Sequence, residues 1–229
     1  MTARFASART TGLIGIVFVL MVAIPGFLAG QPPDPDAPAS KFLSFYQSNR
    51  SALLAGAFVP TGGVVLGIFF ISGLVSLLRR AETTPTPLPI VTFTGFVFTG
   101  VLATLGGVVT AAAAFRMGGA QHIDAETLRF ASDFSNMSFT LIGFPGAAFF
   151  LATGLVMRAS TAFPGWLAVL AWVCAILAVV GTFGIFATSG AFAPGGALGL
   201  LLGLAPFVVF VLATCVFMVV RSARLDAVR

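Results

Sequence analysis

His122, Asp124 and Glu126 alternate along the chain. Alternate residues of an extended segment share a side, so one imidazole and two carboxylates would converge there on a divalent cation. Strong sites draw on three or four ligands, and His122 is the only histidine present. Asp124 and Glu126 also stand where acids belong in the first turn of a helix. The set therefore reads as a solvated loop whose acids cap the next helix, and no metal site is expected. Arg50 is the one other polar group to set beside these three. An intramembrane enzyme would need Arg50, His122, Asp124 or Glu126 to meet in one outer pocket.

The remaining reactive groups carry less. Cys174 and Cys215 both fall in long apolar runs, where a free thiol behaves as a small hydrophobe; an extracellular disulfide framework is excluded. Lys41, the only lysine, lies in a loop, so a retinal Schiff base within the apolar runs is excluded. With no histidine in those runs, a His-ligated haem has no ligand there. No intramembrane acid is present to couple transport to protons or sodium. A phosphate-binding loop ending in Lys-Ser/Thr is absent, as is a G-x-S-x-G serine elbow. The basic residues form no stripe with interleaved aromatics, which argues against nucleic acid. Neither cofactor nor catalytic residue is assigned, and the chain reads as a non-enzyme.

The elements that hold these loops explain the poverty of chemistry. The chain has 229 residues, 58% hydrophobic and 8% charged. A soluble domain carries about 25% charged residues, so there is too little polar side chain to cover a water-facing surface. Six apolar stretches, near 11–30, 52–78, 90–115, 136–157, 165–188 and 197–220, hold no Asp, Glu, Lys, Arg or His. Each approaches the ~20 residues that cross ~30 Å of hydrocarbon as a helix. Backbone groups in lipid must be satisfied within the segment, and the alternation of an outer-membrane barrel is missing. The fold class expected is all-α: one polytopic domain over 1–229, a bundle of six transmembrane helices with two short amphipathic outer-face segments.

Orientation follows from charge. With the N-terminus in the cytoplasm, Arg4, Arg9, Arg79, Arg80, Arg158, Arg221, Arg224 and Arg229 lie inside, against Lys41, Arg50, Arg116 and Arg129 outside. Eight to four obeys the positive-inside rule, and an even number of spans puts both termini in the cytoplasm of an inner-membrane protein. The first span has the basic flank of a signal peptide, but Phe27-Leu28-Ala29-Gly30 is a poor cleavage site. It reads as an uncleaved anchor.

The two outer segments are amphipathic, and each looks like a short helix lying on the membrane before the next span. Phe42, Phe45, Tyr46 and Asn49 follow one another at spacings of three, one and three, and Ser40 suits an N-cap. After Asp124, Leu128, Ala131 and Phe134 share a face, with Phe130 one turn from Phe134. Such segments pack the mouth of the bundle; the functional alternative is a rim of Phe42, Phe45, Tyr46, Phe130 and Phe134 for an apolar ligand. Glycines four apart let backbones approach closely. Gly195, Gly199 and Gly203 in the last span, and Gly63 and Gly67 in the second, are the candidate faces for helix packing, a protein partner or a second copy. Pro60, Pro145 and Pro206 are expected to kink helices. A faint internal echo relates Gly62, Phe69, Gly73, Leu74 and Val75 to Gly143, Phe150, Gly154, Leu155 and Val156, as a parallel repeat would.

The runs Arg9–Phe18, Phe45–Phe58 and Thr161–Trp172, with Tyr46, Arg50, Pro164, Trp166 and Leu167 at the marked positions, resemble a broad group of small actinobacterial-type six-span proteins of unknown function. The resemblance implies the six-span plan and brings no activity, cofactor or catalytic residue. The function expected is an accessory or scaffold subunit or an apolar-ligand binder, in contact with membrane lipid. A passive transporter or channel is the alternative, and an outer-face intramembrane enzyme the third.

Overall fold

The computed structural model describes residues 7–28, 30, 32–119 and 123–227. Among them the protein is all-α. The long helices are α1 (Ala8–Leu28), α2 (Ala39–Ala81), α3 (Leu88–Arg116), α4 (Ala125–Leu141), α5 (Gly143–Ala159), α6 (Gly165–Thr182) and α7 (Ala197–Val220). A 3-10 turn (Phe183–Phe186) extends α6, and a short α8 (Ser222–Asp226) ends the described chain. Five helical units are long and apolar enough to cross a membrane: α2, α3, α4 with α5, α6 with its 3-10 turn, and α7; Ala8–Ile24 forms a shorter apolar helix.

The exterior is that of a membrane protein. Val17, Phe69, Phe98, Phe144, Ile176 and Val209 are all exposed, while the inward face of α6 is built mostly of small residues. On α6 the buried positions are Leu167, Ala168, Ala171, Cys174, Ala175, Ala178 and Gly181, a helical period that brings backbones close. This is the inverse of a soluble protein, because lipid gives no hydrophobic drive between helices and close packing must hold them. Thr214 Oγ1 is buried with no hydrogen-bond partner among the described residues, but three other hydroxyls return to their own helix: Thr99 donates to Gly95 O at 2.8 Å, Thr153 to Phe149 O at 2.6 Å and Thr140 to Asn136 O at 2.8 Å. No water is needed to satisfy them.

The two ends of the bundle differ. At one, here the terminal end, the first amide of α1 meets the end of the chain: Ala8 N donates to Asp226 Oδ1 at 2.9 Å. Arg224 donates to Thr161 O at 2.7 Å, tying α8 to the α5–α6 turn. The opposite, distal end carries the α1–α2, α3–α4 and α6–α7 connections.

Helix lengths set the shape. At 1.5 Å per residue, the 43 residues of α2 reach about 64 Å and the 29 of α3 about 44 Å. A bilayer with its headgroups is about 40–45 Å thick. The 21-residue α1 and 24-residue α7 only match the hydrocarbon. The distal turns of α2 and α4, with the end of α3, therefore stand beyond the other helices as a three-helix platform.

The sequence reading is refined here. The outer segment after Ser40 does not lie on the membrane as a separate helix. It runs without interruption into the apolar part of α2, because nothing between Ala39 and Ala81 breaks the helix; Pro60 is carried inside it. The segment after Asp124 likewise continues into the fourth span, broken only at Ile142. Pro145 accounts for that break, since its ring clashes with the carbonyl four residues before and it lacks an N–H to offer. The echo between α2 and α5 holds in direction but not in packing. Gly73 faces Thr11 of the preceding helix, whereas Gly154 faces Trp172 of the following one.

Candidate functional site

The distal platform is built by the residues predicted to form a rim, but as a core. Phe42 is 0% and Tyr46 1% exposed. They pack with Leu53 of α2, Ala113 and Ala114 of α3, and Leu128 and Ala131 of α4. The Tyr46 hydroxyl is hydrogen-bonded with Ser132 and Thr110, one partner on each neighbouring helix. The apolar stripes of α2 and α4 thus face each other. Each buries part of its apolar face against the other. Phe45 is half-buried, edge-on to Tyr46 at 5.7 Å between ring centroids. Of the five, only Phe130, 68% exposed, and Phe134, 39% exposed, present a free aromatic surface, their rings 6.5 Å apart; Phe115 at the end of α3 is exposed as well. The five predicted rim residues therefore do not enclose one pocket: two are core, one is half-buried, and two form an exposed pair.

Polar groups pin this platform. Arg50 Nε donates to Ala114 O at 3.1 Å, and a methyl placed on Gly118 would strike its guanidinium. Arg129 donates to Pro35 O at 2.7 Å, holding the Pro-rich connector against α4. Asp124 is the N-cap of α4: it accepts from Thr127 N at 2.8 Å and from the Thr127 hydroxyl at 2.6 Å. Those bonds favour the carboxylate and hold its pKa below the ordinary value. Arg50 and Asp124 are thus each engaged with backbone or a neighbouring Thr, and Glu126 is exposed. His122 lies outside the described residues. Among the described residues no three His, Cys, Asp or Glu side chains cluster as metal ligands would.

The glycine positions divide in two. Gly63 and Gly67 seat α1: an added methyl would meet Met21 at 3.2 Å and the Phe18 ring at 2.9 Å. That face is filled from within the chain. Gly195 is not part of a helical glycine strip. Its φ of +82° places it in the connector before α7, against the Asn136 side chain, a conformation that favours glycine. Gly199 lies under Ala193 O, and Gly203 comes near Phe139 O. These three positions are therefore correctly described as a turn and two packing contacts, because α7 begins only at Ala197.

The feature that sequence reasoning missed is aromatic. Phe18, Phe70, Phe96, Phe149, Phe150, Phe207 and Phe210 meet on the axis, with ring centroids 5.1 Å apart for Phe149 and Phe150 and 5.6 Å for Phe96 and Phe149. They come from α1, α2, α3, α5 and α7. Phe70 stands eleven residues above the end of α2, about 16 Å, so the cluster lies near half-depth of a bilayer. The signal was present in the 25 phenylalanines of the chain, but apolar spans do not reveal which ring turns inward. The surface depressions lie on the flanks: one along Ser72, Ser76, Arg79 and Arg80 of α2, another between α3 and α5 around Thr94, Gly95 and Pro145.

Comparison with known proteins finds no matching family model, no matching curated protein and no matching solved structure.

Proposed function

We propose that this chain is a six-span inner-membrane protein with both termini in the cytoplasm, and that it serves as a non-enzymatic accessory or scaffold subunit. The observation that carries this reading is the distal platform. The α2 helix and the α4–α5 unit are longer than the bilayer is thick; with the end of α3 they share a small core and leave the Phe130–Phe134 pair uncovered at its surface. Exposed aromatics on a rigid helical support are the usual anchors of a protein interface. Support for six crossings comes from α1, which is 21 residues long and apolar. Its start bonds to Asp226 beyond the end of α7, as an even number of passages requires. Support for the orientation is the eight-to-four excess of basic residues on the terminal side. The six-span group of unknown function that the sequence resembles has the same plan.

The phenylalanine cluster weighs against the channel alternative, since it fills the axis at half-depth. The test is purification in mild detergent of the wild type and of Phe130→Ala/Phe134→Ala, with mass spectrometry of what accompanies each. A stoichiometric protein partner retained by the wild type and lost from the double variant supports the subunit role. A co-purified lipid or apolar molecule lost in the same way would favour the ligand-binding reading. Recovery of both forms alone would overturn both. Solute flux through vesicles carrying the wild type would revive the channel.

A further inference from the structure

One stripe of α2 changes character along its length. Val65 and Phe69 are exposed apolar residues; one turn further come Ser72 and Ser76, and then the exposed Arg79 and Arg80 at the terminal end. These positions follow at intervals of four, three, four, and three or four, so they lie on one face of the helix. Ser72, Ser76, Arg79 and Arg80 line a common depression. None of the four has a side-chain hydrogen-bond or ion-pair partner among the described residues. That contrasts with Thr99, Thr140 and Thr153, whose hydroxyls donate to their own helix. A hydroxyl facing hydrocarbon without an acceptor is costly, and two exposed guanidinium groups at the boundary attract anionic headgroups.

We propose that this stripe binds the headgroup of an anionic phospholipid. The phosphate takes Arg79 and Arg80, whose forked donors match its oxygens. Ser76, about 6 Å further along the axis by helical rise, and Ser72 beyond it donate to the ester carbonyls. The acyl chains run along Phe69 and Val65. The order apolar, hydroxyl, cationic is that of the lipid read from tail to phosphate. A free phosphate would use the arginines alone, so the serines distinguish the two sources. The site rests on the membrane reading above and sits at the opposite end from the distal platform.

The test uses the full chain. Flotation with liposomes comes first; failure to float would remove the membrane reading and this site with it. Native mass spectrometry in neutral detergent then compares phosphatidylglycerol, phosphatidylcholine of the same acyl chains, and inorganic phosphate. The wild type is expected to retain phosphatidylglycerol preferentially. Arg79→Gln/Arg80→Gln should lose that preference by at least about tenfold, as removal of two interfacial cations implies. Arg221→Gln, at the same end, should keep it. Ser72→Ala/Ser76→Ala should weaken lipid adducts and leave any phosphate adduct unchanged. A floating protein whose preference survives the double arginine variant would overturn the site alone. Equal retention of inorganic phosphate and lipid, insensitive to the serines, would overturn the lipid assignment.

Discussion

Gly95 and Gly100 lie on the same helix, and replacing each by alanine should have opposite effects. A methyl on Gly95 would sit 2.7 Å from both Pro145 O and Phe149 N, and 3.1 Å from Phe149 Cα. All three are backbone atoms of α5, which cannot swing aside as a side chain would. The overlap is about 0.7 Å inside ordinary contact, so α3 must withdraw from α5. A methyl on Gly100 meets nothing within 4 Å. Both substitutions gain the same helix propensity, about 1 kcal/mol, and the comparison cancels it. What remains is the overpacking cost, about 1–3 kcal/mol. Between helices in lipid close packing is the main attraction, so about 2 kcal/mol is the working figure. For a chain of this size that difference moves a melting midpoint by roughly 4–8 °C. Thermal unfolding in one detergent, followed by far-ultraviolet circular dichroism, reads it directly. Gly100→Ala should melt at or above the wild type and Gly95→Ala several degrees below. Coincident curves for the two variants would mean that α3 and α5 do not touch through their backbones, and the packing argument would fail.

Three further outcomes are expected. Phe149→Ala opens a void on the order of 100 Å³ in the aromatic cluster; at about 24 cal/mol per Å³ the void alone costs about 2.4 kcal/mol, and the whole substitution about 3–5 kcal/mol. Phe58→Ala, at a position 81% exposed, should leave the same melt unchanged; equal losses would show that Phe149 is not core. Asp124→Ala should lower the melting point at neutral pH. Because the folded carboxyl has a depressed pKa, its contribution is present above the unfolded pKa and lost as pH falls through the folded one. The gap between wild type and variant should therefore close in acid, and a gap that persists there would refute the cap. For topology, a C-terminal fluorescent-protein fusion should glow and alkaline phosphatase inserted near Pro33 should be active; the reverse pair would invert the assigned orientation.

The apolar helices were readable in position because lipid leaves little latitude: a run without charge, about twenty residues long, has one fold available to it. Their ends were harder. From Ala39 to Ser51 the helix is amphipathic and from Ala52 to Leu78 it carries no charge, yet the backbone sees no boundary. A change of solvent preference marks where the bilayer stops, not where a helix does. Phe42 and Tyr46 were correctly picked as one face, but a face does not say what covers it; α3 and α4 do. Gly195 misled because glycine serves both close packing and positive φ, and sequence spacing cannot tell these uses apart. Phe18 and Phe58 belong to similar apolar runs, yet one is core and the other 81% exposed.

The bond from Ala8 to Asp226 has a consequence for manipulation of the chain. The start of α1 and the end of α8 are held together, so a short polar linker from Asp226 to Ala8 would close the described helices into a ring. New ends could then be cut at the turn around Ser160, on that same side. Such a permutant would begin with α6 and finish with α5, and it would insert in the same sense as the parent. The order in which the strip of polymer enters the bilayer would thereby be separated from the arrangement it finally takes.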